Sequence, residues 1–164
     1  MIKVLFICHG NICRSPMAEY LFKYYVAKKG KEKEFIIDSK ATSREEIGNG
    51  VHRGTRRILD KYNIDYSNHR ASQITIDDYN FYDFIIAMDE NNIYNLNRMI
   101  PDRLHKYSLL LEYAGINRDI SDPWYTGNFD ETFKDISVGL DSFYNYLNDN
   151  GYLKWGGCNV VKNT

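Results

Sequence analysis

The sequence predicts an α/β protein with a central parallel sheet of four strands and helices on both faces. Three observations carry that prediction. Short apolar runs of strand length recur along the chain, and between them lie longer segments with apolar residues at helical spacing. This alternation implies crossover connections and a parallel sheet. With 164 residues, 43% of them hydrophobic, the chain suits a single core of good size.

The elements follow in order. Residues 2–7 read as the first strand. A helix follows over 15–28, where Met17, Ala18, Leu21, Phe22, Tyr25 and Val26 line one face, and Gly30 stops it. Residues 35–37 form a second strand ending at Asp38-Ser39. Residues 41–50 are a polar loop. A helix over 51–62 turns Ile58 and Leu59 toward the core and ends at Asn63. A loop at 67–73 and a short helix at 76–80 precede the third strand, 84–88. Asp89-Glu90-Asn91 caps a helix carrying Ile93, Leu96 and Met99, and Pro101 ends it. A fourth strand is expected at 104–107, a short helix or turn at 109–113 and a turn-rich loop at 121–127. The last helix covers 130–148, with Phe133, Ile136, Val138, Leu140, Phe143, Tyr144 and Leu147 as its apolar residues. The domain is expected to span 1–155 and a loose tail 156–164.

The chemistry gathers where the first strand ends, at Cys8-His9-Gly10-Asn11-Ile12-Cys13-Arg14-Ser15-Pro16. Gly10 and Asn11 tolerate left-handed backbone, and Ser15-Pro16 reads as an N-cap and first helical residue. Strand, tight loop and helix N-terminus together make an anion site, with backbone N–H groups pointing inward. His9, Gly10, Asn11, Ile12, Cys13 and Arg14 are therefore the candidate phosphate-binding residues. A thiol at Cys8 among those donors should be held as thiolate, and Arg14 offers a planar fork for two phosphoryl oxygens. A nucleophile beneath a bound tetrahedral dianion is what phosphoryl transfer to cysteine requires. The plainer reading makes Cys8 a strand-ending core residue and Arg14 a surface charge. It accounts for the two residues but not for the strand, Gly-Asn turn and Ser-Pro helix start around them. Displacement by a thiolate also needs an acid for the leaving oxygen and a base for the water that follows. Asp122-Pro123-Trp124-Tyr125 supplies a candidate, although on spacing alone Asp-Pro is equally a turn former. Trp124 and Tyr125 can clamp a phenyl ring.

The stretch from Val4 to Glu19 resembles the signature loop of the low-molecular-weight protein tyrosine phosphatases, and the similarity extends over most of the chain. The resemblance implies a single flavodoxin-like domain of the phosphotyrosine protein phosphatase I type and a phosphocysteine mechanism. Cys8 would be the nucleophile, Arg14 the transition-state clamp and Asp122 the acid and then the base, since the family's acid sits in an Asp-Pro-aromatic-aromatic sequence before the last helix. Asn11, Ser39 and His69 match positions that brace the loop. Ser15 would donate to the Cys8 sulfur or cap its helix, and Asp89 would support the site or cap its own. Cys13 matches a cysteine usual in the family, implying a reversible Cys8–Cys13 disulfide. There are departures. Glu45 stands where the family often has a tryptophan, Trp124 replaces the usual tyrosine, and His9 replaces leucine or threonine. Gly48-Asn49-Gly50-Val51-His52 replaces a Gly-x-x-Pro-like segment. Glu45, Trp124 and Tyr125 are thus the specificity candidates. Glu45 and Glu46 should repel acidic phosphopeptides, while Arg44 and Arg53 should attract them.

A net charge of −1 favours neither nucleic acid nor an anionic membrane, and no apolar run approaches membrane-spanning length. The N-terminus enters the first strand directly and predicts no signal peptide. Three cysteines make no disulfide framework, and a reactive thiol suits the reducing cytoplasm. No zinc-like pairing of histidine and cysteine is visible, so no metal or cofactor is expected. The expected partner is a phosphotyrosine protein or peptide, with inorganic phosphate as product, acted on by a monomer. Three rivals deserve weighing. An arsenate reductase of the same fold needs resolving cysteines, and only Cys158 follows Cys13. A protein-arginine phosphatase of the family carries threonine where this chain has Ile12. A non-catalytic phosphotyrosine-binding module would lack the nucleophile or the acid, and both Cys8 and Asp122 are present.

Overall fold

Side chains of β1 (Ile2–Cys8) alternate between two cores, which is why this strand is apolar throughout. Val4 and Phe6 enter one core and Leu5 and Ile7 the other, all fully buried. The computed structural model describes residues 1–154. The expected tail at 156–164, Cys158 included, lies outside the described residues.

β1 pairs in parallel with β2 (Phe35–Ala41) on one side and β3 (Phe84–Ala87) on the other. β4 (Tyr107–Leu109) adds to β3, giving the all-parallel order β2-β1-β3-β4. α1 (Arg14–Lys28), α2 (Arg53–Asp60) and α6 (Phe129–Asp149) cover one face, where Met17 and Phe22 meet Ile136 and Phe143. α3 (Ile76–Phe81) and α4 (Glu90–Met99) cover the other through Tyr79 and Leu96. The chain leaves β1 toward β2 and returns to β3 on β1's far side. Cys8, at the carboxyl end of β1, therefore sits at the switch point where ligands bind in such sheets.

Several expectations need correction. β2 runs on to Ala41, paired with β1 as far as Cys8. Its polar end, Asp38-Ser39-Lys40, hides the strand from a hydrophobicity reading. The fourth strand lies at Tyr107–Leu109 rather than 104–107. His105 is left-handed (φ 54°) and the Asp102 carboxylate accepts from the N–H groups of Lys106 and Tyr107, so the chain is still turning there. The turn-rich loop contains one helical turn, α5 (Pro123–Thr126), capped by Asp122 and ended by left-handed Gly127. α2 is shorter than expected and is capped by His52, whose Nδ1 accepts from Gly54 N–H. Val138 lies outside the buried stripe of α6 and is exposed.

Candidate active site

The loop between β1 and α1 turns on Asn11, which is left-handed (φ 61°) and completely buried. Its neighbour does not share that conformation. At Gly10 a Cβ would lie 3.3 Å from Glu46 Cγ, a tight contact that the glutamate side chain would have to ease by a few tenths of an ångström. The Cys8 sulfur faces the N–H of Asn11 at 3.3 Å, the N–H of Ser15 at 3.4 Å and the Ser15 hydroxyl at 3.0 Å. Asn11 Nδ2 donates to Ser15 Oγ at 2.9 Å, leaving the serine proton free to point at sulfur. Ser15 is not the N-cap the sequence suggested. α1 begins at Arg14, no side chain caps it, and the Ser15 hydroxyl is committed to the sulfur.

Behind the loop lies a buried network. Asn11 Nδ2 also donates to Ser39 Oγ (2.9 Å), and Ser39 donates to Glu19 Oε1 (2.6 Å). Ser72 N–H donates to Asn11 Oδ1, and His69 Nε2 lies 2.8 Å from the Asn11 carbonyl. Ser39 and His69 thus both contact Asn11 from behind the loop. Glu19 was missed. It is almost fully buried, and burial raises its pKa against the opposing pull of Lys23 and Ser39. Its one sequence signal is its place on α1, four residues after Ser15 on the same face. Thr55 was missed too, although its hydroxyl donates to the Cys13 carbonyl at 3.0 Å.

Arg14 is buried, and its Nη1 donates to Asp89 Oδ2 (2.7 Å) and to the Ile120 carbonyl (2.8 Å). Burial opposes its charge, yet Cys8, Asp89 and Asp122 more than offset this, so its pKa is raised. Asp89 is the N-cap of α4 and also pairs with Arg14. Ile120 N–H in turn donates to the Met88 carbonyl, tying the segment before Asp122 to the end of β3. Asp122 consequently faces Arg14, with Oδ2 at 3.4 Å from Nη2, while its Oδ1 accepts from Trp124 N–H.

A cavity of about 130 Å³ opens above the sulfur, lined by the loop, by Asp122 and by four further side chains: Glu45, Glu46, Trp124 and Tyr125. Asn11, expected among the phosphate-binding residues, is fully buried and does not line it. Trp124 and Tyr125 are 57% and 82% exposed at its mouth. His9, on the rim, pairs with Glu45. Cys13 lines the cavity, and burial, then Cys8 and Asp122, push its thiol pKa up. The arrangement can hold a tetrahedral dianion between sulfur, loop N–H groups and guanidinium, with a carboxyl at the open end.

Comparisons with known proteins agree with this geometry. Residues 3–152 match the family model described as low molecular weight phosphotyrosine protein phosphatase. The low molecular weight protein-tyrosine-phosphatase YfkJ of Bacillus subtilis is 42% identical over 144 residues, covering 86% of this chain and 92% of YfkJ. A crystal structure of YfkJ superposes with a TM-score of 0.87 at 39% identity, over 92% of this chain and 96% of that one. PtpA of Staphylococcus epidermidis, of the same description, is 36% identical over 155 residues, 94% of this chain and 99% of PtpA. A Drosophila arginine phosphatase structure is more distant, with 27% identity and a TM-score of 0.80 over 88% of this chain and 97% of that one.

Proposed function

The chain belongs to the low-molecular-weight phosphotyrosine protein phosphatase family, and from that premise we propose that it hydrolyses phosphotyrosine in proteins or peptides through a phosphocysteine intermediate. The observation that carries the reading is the convergence of three donors on Cys8 Sγ beside a buried, anchored arginine.

Cys8 attacks phosphorus as thiolate, and the sulfur–phosphorus bond forms as the phosphorus–oxygen bond to the phenol breaks. Arg14 and the loop N–H groups stabilise charge on the equatorial oxygens. Asp89 and Ile120 hold the guanidinium in place beforehand, so little reorganisation is needed at the moment of reaction. Asp122 gives its proton to the leaving phenolate. As carboxylate it then takes a proton from the water that attacks phosphocysteine, releasing inorganic phosphate and the thiolate. Trp124 and Tyr125 flank the ring, and Ile12 adds an apolar residue to the cavity lining, which supports a phenyl group over a phosphorylated guanidine. We place the protein in the cytoplasm as a monomeric domain, because its chemistry needs a reduced thiol. Among the described residues no helix is long and apolar enough to cross a membrane.

Hydrolysis of phosphotyrosine, phosphoserine and phosphoarginine side by side, with and without chelator, tests the reading. Phosphotyrosine should be hydrolysed fastest and chelator should change nothing. Cys8→Ser should bind phosphate yet lose turnover, since an alkoxide forms far less readily than a thiolate. Retained turnover in that variant would overturn the mechanism, and faster release from phosphoarginine would overturn the substrate.

A further inference from the structure

Trp124 is shared by two concavities. It lines the cavity above Cys8, and it also lines a groove of about 520 Å³ at the start of α2, beside Phe129. His52 holds the indole there. Its ring meets Trp124 edge-on at 5.6 Å and stacks on Phe129 at 5.1 Å with an interplanar angle of 12°. Gly54 makes room for that stack, because a Cβ on it would lie 2.5 Å from the Phe129 ring.

The groove's charge has one sign. Arg53 and Arg57, one helical turn apart on α2, both line it, and no carboxylate does. Arg53 is exposed and, among the described residues, has no ion-pair partner. Arg57 pairs with Asp130 just outside the groove at 3.2 Å, both side chains being about half exposed or more. The field reaches the indole's support: after burial, Arg53 and then Arg56 lower the His52 pKa. The cavity above Cys8 has the opposite character at its rim, where Glu45 and Glu46 are carried by the loop after β2. Charge around the phosphotyrosine site is therefore lopsided.

We propose that this arginine groove is a second, anion-selective subsite, taking an acidic side chain of the phosphopeptide close to the phosphotyrosine. It rests on the phosphatase reading above. The ligand chemistry is a carboxylate or a second phosphoryl group. An extended peptide advances about 3.3–3.6 Å per residue, so a residue one to three places from the phosphotyrosine can pass the indole and reach the guanidinium groups. The preference is directional. Acidic residues help on the side of the chain that passes Trp124, and on the other side they meet Glu45 and Glu46.

The test compares kcat/KM on matched phosphotyrosine peptides carrying glutamate, phosphoserine, glutamine or lysine at single positions on either side. Within each protein the value is divided by that of the glutamine peptide, so general changes in turnover cancel. In the parent protein glutamate should exceed glutamine on one side only, by about 1.5- to fivefold per arginine engaged, and the gain should shrink in high salt. The phosphoserine arm separates the sources: a larger gain than glutamate assigns the groove to a second phosphate, an equal or smaller one to carboxylates. The gain should vanish in R53A/R57A, reverse toward lysine in R53E/R57E, and grow in D130N, which frees Arg57. A flat ratio in the parent protein, or a gain that survives R53A/R57A, would overturn the subsite while leaving the phosphatase reading intact. Failure of the parent protein to hydrolyse any of the peptides would overturn both.

Discussion

Asn11→Ala tests the strained centre of the phosphate loop. The asparagine is completely buried, and its side chain makes three hydrogen bonds, to Ser15 and Ser39 at 2.9 Å and from Ser72 N–H at 3.2 Å. At about 1 kcal/mol net for each bond, their loss destabilises the fold by about 3 kcal/mol. Alanine at φ 61° adds about 1–2 kcal/mol of left-handed strain, since its side chain has no local hydrogen bond to offset it. A total of about 4–5 kcal/mol is a large share of the 5–15 kcal/mol typical of a domain. Asn11→Gly separates the two contributions. Glycine loses the same bonds but takes the left-handed conformation freely, at about 0.5–1 kcal/mol of extra unfolded-state entropy. It should match or exceed the alanine variant in stability by up to about 1.5 kcal/mol. Urea unfolding at fixed pH gives both values, with the slope m checked for constancy. Both variants should also lose kcat by about 10²-fold, because the donors around Cys8 are no longer held in place. An alanine variant within 1 kcal/mol of the parent, or a glycine variant clearly less stable than the alanine one, would refute this account of the loop.

Other outcomes follow from the same geometry. Asp122→Ala should lower kcat for phosphotyrosine by about 10²–10⁴-fold, with a smaller loss for aryl phosphates whose leaving group needs no proton; an equal loss across leaving groups would exclude it as the acid. Arg14→Lys should not restore function, since an ammonium cannot both grip Asp89 and Ile120 and present a fork to phosphate; kcat/KM within a few-fold of the parent would refute the clamp. Mild peroxide should oxidise Cys8 to a sulfenic acid, which the Cys13 thiol attacks with loss of water to give a disulfide that added thiol reduces. Mass spectrometry should find the Cys8–Cys13 link, and Cys13→Ser should lose the recovery; a Cys8–Cys158 link would overturn the assignment. Gly139→Ala should destabilise the fold by about 1–3 kcal/mol with KM unchanged, because its Cβ would lie 2.5 Å from Leu110 Cγ; a stability change below 0.5 kcal/mol would show that the contact relaxes freely.

What the sequence determined by itself is what short-range physics encodes. Val4–Ile7, the Gly10-Asn11 turn, Cys8, Arg14 and the start of α1 all lie within one strand–loop–helix unit. Their spacing alone points to an anion site at a strand's end. Apolar periodicity marked the longer helices and the interior of the sheet, but not the single turn of α5. It failed where polar side chains carry structure: at the end of β2, where Ser39 is buried because it bonds Asn11 and Glu19, and before β4, where Asp102 and left-handed His105 prolong a turn. Local rules also misassigned Ser15, because nothing nearby in sequence shows that its hydroxyl is claimed by Cys8 and Asn11. Only the tertiary structure brought Ile120 and Asp122 to Arg14, through a bond from Ile120 to Met88 at the end of β3. Only it placed Glu19 behind the loop, and set Arg53 and Arg57 on the far side of Trp124 from the sulfur. These pairings join segments far apart in the chain, and their geometry depends on how the sheet orders its strands and which faces the helices cover. No residue-by-residue propensity carries that information.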